Sequence, residues 1–411
     1  MKCRCCGSNA DQVFVDLGHQ PPSNAYLTEA KLAEPEVTFP LRVYVCNECW
    51  LVQLPAHAAS DELFNETYAY FSSVSSTWVA HAERYVAEMT ERFSLDSNSF
   101  VVEVASNDGY LLQFVKQRGI RCLGIEPTHS TAVASREKGI ETVEEFFGGQ
   151  FASRMRDERG PADLLAGNNV LAHVPDLNDF VAGVSIALAD DGVATFEFPH
   201  LMQLVGGLQF DTVYHEHYSY LSFYTVNRLF ASHGLKCFDV QKLPTHGGSL
   251  RVFATPESGS AHSVSERVSA MLQSESDAGM QTVDYYSDFQ PSVEKIKDDL
   301  LSFLIDLKRS GGNVCGYGAA AKGNTLLNFA GVKSDLLPFV CDAAPSKQEH
   351  YLPGSHIPVV HPDQLRLSSP ENILVLPWNI AGEAQDQHRY VQEWGGKFWR
   401  AVPRLEALGN A

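Results

Sequence analysis

With 411 residues, 44% of them hydrophobic and 20% charged, the chain is long enough for two or three domains, each with its own core. A formal charge of −19 argues against nucleic acid or an anionic membrane as principal partner, while an anionic substrate is still served wherever a few Lys and Arg converge. No apolar run approaches bilayer length, the start MKCRCCGS lacks the apolar centre of a signal peptide, and nine cysteines with five in two N-terminal clusters do not look like a secreted disulfide framework, so a cytoplasmic protein is expected.

The chain opens on two C-x-x-C pairs, Cys3/Cys6 and Cys46/Cys49, about forty residues apart. Each pair presents two thiolates from a tight knuckle, and together they fill a tetrahedral zinc shell with no open position, which reads as structural zinc. Such an ion holds together a segment too small to bury much core. Cys5 can replace either neighbour, although Cys3 and Cys6 have the better spacing, and ordinary reduced thiols are the plain alternative. Between the pairs, LGHQPPSNAYL carries too many Pro and turn residues for a helix.

From Phe100, FVVEVASNDGYLLQFVKQRG reads as a buried strand, a loop with Asn, Asp and Gly, and an amphipathic helix; RCLGIEPTHS is a second strand ending in Glu126. This is the layout of a nucleotide-binding βαβ unit with an acid placed to accept from ribose hydroxyls. The loop departs from G-x-G-x-x-G, with Ala105, Asn107 and Gly109 in VEVASNDG after Glu103, and suits a phosphate-free ligand such as S-adenosylmethionine better than a dinucleotide. A purely structural strand–turn–helix is the alternative. GIETVEEFFG puts Glu145 and Phe146 at the end of a further strand, where Phe146 is either an apolar wall for an adenine or simply core. Strands are expected over 163–166 and 193–198, with Asn168, Asn169 and His173 following the former, the two asparagines being otherwise turn formers.

Residues 211–222 read DTVYHEHYSYLS, with three open readings: metal ligands, a general acid/base, or a polar surface turn. The H-E-x-x-H zinc pattern needs histidines four apart, but the position four after His215 is Ser219. On a helix His215 and His217 point nearly opposite ways; on a strand they share a face. A helical join around residues 256–288 leads to NVCGYGAAAKGNTLLNFAG, which repeats the strand–glycine loop–helix logic: Gly316, Gly318 and small residues let backbone N–H groups approach an anion, with Lys322 adding charge or merely solvated at a helix start. A strand ending in Asp342 with Lys347 nearby, then a third strand and a loop bearing Asn379, complete a second Rossmann-like half.

Together, C-x-x-C…C-x-x-C, NETYAYFSSVSS, VVEVASNDG, GIEP, NNVLAHVPD, YHEHYSYLS, LPTHGGSLR, GYGAAAKG and DAAPSKQ resemble, over nearly the whole chain, the sugar C-methyltransferases that build C3-branched deoxysugars on nucleotide carriers. The resemblance implies an α/β protein in three parts: a zinc-binding domain over 1–65, a Rossmann-like S-adenosylmethionine domain over 66–255, and a Rossmann-like C-terminal domain over 256–411 that helps hold the nucleotide sugar. It implies His217 as base, with Glu216, Tyr214 and Tyr68 around the sugar. It puts Glu103, Ala105, Asn107, Glu126, Phe146, Asn169 and His173 near the methyl donor, and His246, Lys322, Lys347 and Asn379 on the nucleotide-sugar side. Ala105 stands where the family is expected to have glycine, and His215 adds a second ring beside the base. The partner implied is a nucleoside-diphosphate 4-keto-deoxysugar, and a monomer is expected.

The chemistry agrees with such a set. Methylation of carbon needs a carbanion-like nucleophile, and a C4 ketone acidifies the C3 proton. Histidine, with an ordinary pKa of about 6.5, suits its removal, and tyrosine hydroxyls or a second imidazole suit the enolate oxygen. The rivals are an NAD-dependent nucleotide-sugar oxidoreductase or epimerase using GYGAAAKG with Asp342 as the ribose acid, and a non-catalytic zinc-ribbon interaction protein.

Overall fold

The computed structural model describes residues 1–57 and 71–409. The chain makes two compact, discontinuous units: Met1–Asp11, Val45–Leu201 and Tyr218–Thr282 form the first, and Gln12–Tyr44, Met202–His217 and Val283–Ala411 the second. No helix among the described residues is long and apolar enough to cross a membrane.

The first unit is built on a seven-stranded sheet of β1 (Phe100–Val104), β2 (Arg121–Ile125), β3 (Thr142–Val143), β4 (Ala162–Asn168), β5 (Leu188–Pro199), β6 (Leu235–Leu243) and β7 (Ser249–Pro256), in the order β6-β7-β5-β4-β1-β2-β3. The five strands from β3 to β5 are parallel, and β7 and β6 close the far edge in antiparallel register. FVVEV is buried at every position, as a parallel strand covered on both faces requires. Helix Ser76–Arg92 covers one face with Ala82, Tyr85, Val86 and Met89, spaced to make one apolar stripe, and the Ser75 side chain caps its first turn by accepting from the Trp78 N–H. Both further strands expected from the sequence are present, within β4 and β5. The loops after β1, β2, β4 and β5 leave from the carboxyl edge, where open α/β sheets bind ligands.

The second unit holds a six-stranded sheet of β8 (Val314–Tyr317), β9 (Val340–Cys341), β10 (Val359–Val360), β11 (Asn372–Val375), β12 (Lys397–Arg400) and β13 (Glu406–Ala407), in the order β10-β9-β8-β11-β12-β13. Only β13 is antiparallel. Helix Phe289–Ser310 buries Phe289, Val293, Ile296, Leu300 and Leu304, and Gly311 ends it in the left-handed conformation. Strand Gln12–Gln20 packs beside it, with Phe14 stacked 4.3 Å from Phe289. Helix Ala321–Ala330 leaves β8 through the glycine loop. Gly318 is required there, since its φ is +86° and a Cβ would lie 2.5 Å from the Pro377 ring.

Candidate active site

The Cys3, Cys6, Cys46 and Cys49 sulfurs lie within 4.8 Å of one another in the first unit. Each pair sits in a tight knuckle, closed by Gly7 N–H to Cys3 C=O at 2.9 Å and Trp50 N–H to Cys46 C=O at 2.8 Å. Gln53 Nε2 donates to Cys3 Sγ at 3.1 Å and its Oε1 accepts from Arg4 N–H at 3.0 Å, fixing the surrounding loop. The Cys49 thiol and then burial push Cys3 up to about 12, as expected for closely packed, buried thiols. Four sulfurs with second-layer support fit a closed, structural zinc site.

At the end of β1 the chain turns sharply through Ala105 (φ +55°) and Asn107 (φ +50°) into Gly109. An L-residue in this region costs of order 1 kcal/mol, so Ala105 carries at the loop the strain that the expected glycine avoids. The turn is held from β2: Glu126 accepts from the Asn107 and Thr128 N–H groups, both at 2.9 Å. Asn107 Oδ1 in turn accepts from the Ser72 N–H at 2.9 Å. Glu103 is buried inside β1, which drives its pKa well above the ordinary carboxylate range against a hydrogen bond from Tyr110. Its Oε2 and both amide atoms of Asn168 are buried without a hydrogen-bond partner among the described residues. Asn168 is the last residue of β4, and Asn169 follows at φ +55°, its N–H bonded to Glu197 C=O at 2.7 Å. His173 ends the short 3-10 turn Leu171–His173. Orphaned carboxylate and amide atoms at a carboxyl edge are the donor set that an amino-acid-bearing adenosine ligand needs, so the residues fit S-adenosylmethionine. Phe146 is 52% exposed, which removes the core reading: β3 stops at Val143, and residues 144–146 run over the surface where Arg154 pairs with Glu145.

A further cluster in this unit was not singled out in the sequence. Glu197, opposite Asn168 and Arg251 in the sheet, is fully buried and accepts from Arg251 at 3.0 Å, His81 Nε2 at 2.9 Å and Thr245 Oγ1 at 2.8 Å. Against the burial that would raise it, the His81 bond and the Arg251 charge hold its pKa below the ordinary value. The network anchors Thr245 and so aims His246 (φ +53°), whose Nε2 accepts from Asn169 Nδ2 at 3.2 Å. A charge in each of two facing apolar strands, VATFEFP and SLRVFAT, was the available signal, because buried charges occur in pairs.

In the second unit, residues 214–217 form neither helix nor strand but a tight turn, closed by His217 N–H to Tyr214 C=O at 2.9 Å. The surface-turn reading fails because His215 and Glu216 are 3% and 4% exposed. The metal reading gains no support: among the described residues, the cysteines make the one group of three or more His, Cys, Asp or Glu side chains close enough to share an ion. His217 Nδ1 lies 2.8 Å from Thr212 C=O. A carbonyl only accepts, so Nδ1 carries the proton and Nε2 is the basic nitrogen of the neutral ring. Tyr214 lies against that ring, with centroids 4.0 Å apart. Burial pushes Glu216 up to about 7, opposed by Asn24, whose Nδ2 donates to Oε1 at 2.6 Å. Tyr68 lies outside the described residues.

Lys322, Asn379 and Lys347 gather around the glycine loop. Lys322 donates to Asn379 Oδ1 at 2.9 Å and sits over the Trp378 ring at 4.5 Å, and burial lowers its pKa against the pull of Asp211. The side chain is half-buried, between the Trp378 ring and Asn379. Asp211 accepts from Trp378 Nε1 at 2.7 Å and is pushed up to about 6 by burial, opposed by Lys322. Lys347 donates to Ala319 C=O at 2.8 Å. The oxygens of Asp342 accept from Ala319 N–H at 2.7 Å and Ala344 N–H at 2.8 Å. The acid that an NAD ribose would use is thus bound to its own loops.

Residues 3–64 match the family model described as a zinc binding domain, 78–240 a methyltransferase domain, and 244–403 the C-methyltransferase C-terminal domain. The chain is 35% identical over 407 residues to C-methyltransferase NovU of Streptomyces niveus, covering 99% of this chain and 96% of that one. The chain belongs to the C-methyltransferase family. It is a SAM-dependent C-methyltransferase with a Rossmann-like methyltransferase domain and a zinc-binding N-terminal region. Among solved structures, a SAM-dependent methyltransferase from Anabaena variabilis aligns with a TM-score of 0.40 at 14% identity, over 50% of this C-methyltransferase and 99% of that chain. The DhpI–SAH complex aligns with a TM-score of 0.35 at 18% identity, over 49% and 98%.

Proposed function

We propose that the enzyme methylates C3 of a nucleotide-linked 4-keto-deoxysugar, acting in the cytoplasm as a monomer, with the chain divided into zinc-binding (1–65), donor (66–255) and nucleotide-sugar (256–411) parts. The observation that supports this reading is the turn at 214–217, half-buried at Tyr214 and His217 and buried between them, in which the Thr212 carbonyl accepts from His217 Nδ1 and leaves Nε2 as the unprotonated nitrogen suited to act as base. The bound donor supplies an electrophilic methyl on a sulfonium. His217 takes the proton from the carbon beside the ketone, leaving the electron pair in the enolate, and afterwards holds that proton. Tyr214 and His215 are the donors for the enolate oxygen, and Glu216 with Tyr68 grips the sugar. Glu103, Ala105, Asn107, Glu126, Phe146, Asn169 and His173 hold the methyl donor. His246, Lys322, Lys347 and Asn379 hold the nucleotide sugar. Lys322 is the group for a diphosphate, since a half-buried ammonium at a glycine loop gains from pairing with an anion.

A panel of thymidine, guanosine and cytidine diphosphate 4-keto sugars, incubated with S-adenosylmethionine, tests the substrate class. A gain of one methylene in mass on at least one member is expected; no product from any member removes the sugar reading. The donor assignment has its own test. Glu126→Gln leaves one of the Asn107 and Thr128 N–H groups without an acceptor. Affinity for S-adenosylhomocysteine, read by calorimetry, then falls about 10- to 100-fold. Unchanged affinity takes Glu126 out of the donor site.

A further inference from the structure

LGHQPPSNAYL reads from sequence only as a turn-rich connection, yet in the second unit its residues 23–26 are bonded on three sides. Asn324 Nδ2 donates to Ser23 C=O at 2.6 Å, Asn24 Nδ2 donates to Glu216 Oε1 at 2.6 Å, and the Tyr26 hydroxyl donates to Ala319 C=O. One position along from Asn324, Thr325 Oγ1 donates to Val213 C=O at 2.8 Å. These bonds close a circuit. From Ser23 it runs to Asn24, across to Glu216, back along the turn to Val213, across to Thr325 and Asn324, and home to Ser23. Ser23, Glu216, Asn324 and Thr325 are buried, so the bonds on Ser23 and Val213 are shielded from water, while Asn24 is exposed and reaches the buried Glu216 carboxyl from the solvent side.

We infer that Asn24 is a positioning residue for Glu216, and that residues 23–26 are a strap holding the turn that bears His217 to helix Ala321–Ala330 and to the glycine loop. The inference deepens the reading of the turn as the acid/base element, and rests on it for its catalytic meaning but not for its geometry. The Asn24 amide can donate to Glu216 whether the carboxyl is ionised or neutral, but the bond is stronger to the ionised form and so favours it. Within hydrogen-bonding range of one carboxyl oxygen, the amide also selects the rotamer. Burial raises the pKa of Tyr26 on the strap, Glu216 is close enough for its charge to add to that shift, and His215 and His217 flank Glu216 along the turn.

The test is the titration of Glu216 in the zinc-loaded full chain, followed by carboxyl ¹³C NMR and assigned by difference from Glu216→Gln. Asn24→Ala and the similarly sized, uncharged Asn24→Leu should both raise the midpoint, by about one to two pH units, since a hydrogen bond to a charged group has that weight. Asn24→Leu keeps most of the strap's bulk and tests the bond if the alanine variant misfolds. In kinetics, the acid limb of kcat/KM should move up with the NMR midpoint, and Asn24→Leu should add no further pH shift on a Glu216→Gln background. A loss of packing alone lowers the melting temperature and leaves the midpoint in place. An unmoved midpoint in both variants overturns the inference. If the midpoint moves while Glu216→Gln keeps wild-type turnover, Asn24 positions Glu216 as inferred and the catalytic reading of Glu216 is what fails.

Discussion

Replacing His217 with Asn should lower kcat by about 100- to 10,000-fold while substrate and donor binding stay within a few fold. The asymmetry follows from the ring's two nitrogens. Nδ1–H is spent on the Thr212 carbonyl 2.8 Å away, and an Asn amide can donate in much the same place, so the turn keeps its closure. What Asn cannot offer is the second, basic nitrogen. His217→Ala loses both functions and should show the same loss in kcat together with a lower melting temperature. The proton itself can be followed. With S-adenosylhomocysteine in place of the donor, wild-type enzyme in deuterium oxide should exchange the hydrogen beside the ketone, and His217→Asn should not. Near-normal turnover in both variants, with the fold intact, would show that the base lies elsewhere, and His215 on the same turn is then the first residue to replace.

The parts of the enzyme legible in the sequence are those whose signal is local. C-x-x-C spacing places two sulfurs on one knuckle whatever the rest of the chain does, and FVVEV announces a strand buried on both faces, with Glu103 conspicuous as its one charge. The turn at 214–217 was not decided by its own residues. HEHY fits alternation as well as a tight bend, and what selects the bend comes from far away in sequence: Thr325 on the Val213 carbonyl and Asn24 on Glu216. Asn24 had no motif of its own, only the company of prolines. Glu197 and Arg251 were each visible as a charge in an apolar strand, but their pairing depends on β7 returning beside β5 rather than on any spacing along the chain. The core reading of Phe146 failed for the opposite reason. A pair of phenylalanines following ETVEE reads as the end of a strand entering the core, whereas the strand ends at Val143 before reaching them.

Removing zinc should cost both stability and turnover, although a four-sulfur shell offers no position for substrate. The cluster joins Cys6 to Cys46, 40 positions apart, with their sulfurs 3.5 Å from each other. Between them runs the segment Gln12–Tyr44, which belongs to the second unit and supplies Asn24 and Tyr26. Closing a loop of this length restricts the unfolded chain by about 4 kcal/mol in the chain-entropy treatment of cross-links. A melting temperature lower by about 10 °C is therefore expected on chelation or in Cys46→Ser, with restoration by added zinc in the chelated wild type. Protease sites within 12–44 should open in parallel. Turnover should fall with the strap, because Glu216 loses the Asn24 amide. If the melting temperature falls but kcat holds, zinc is structural and the strap does not serve the reaction; if neither changes, the cysteines do not hold the fold through a shared ion.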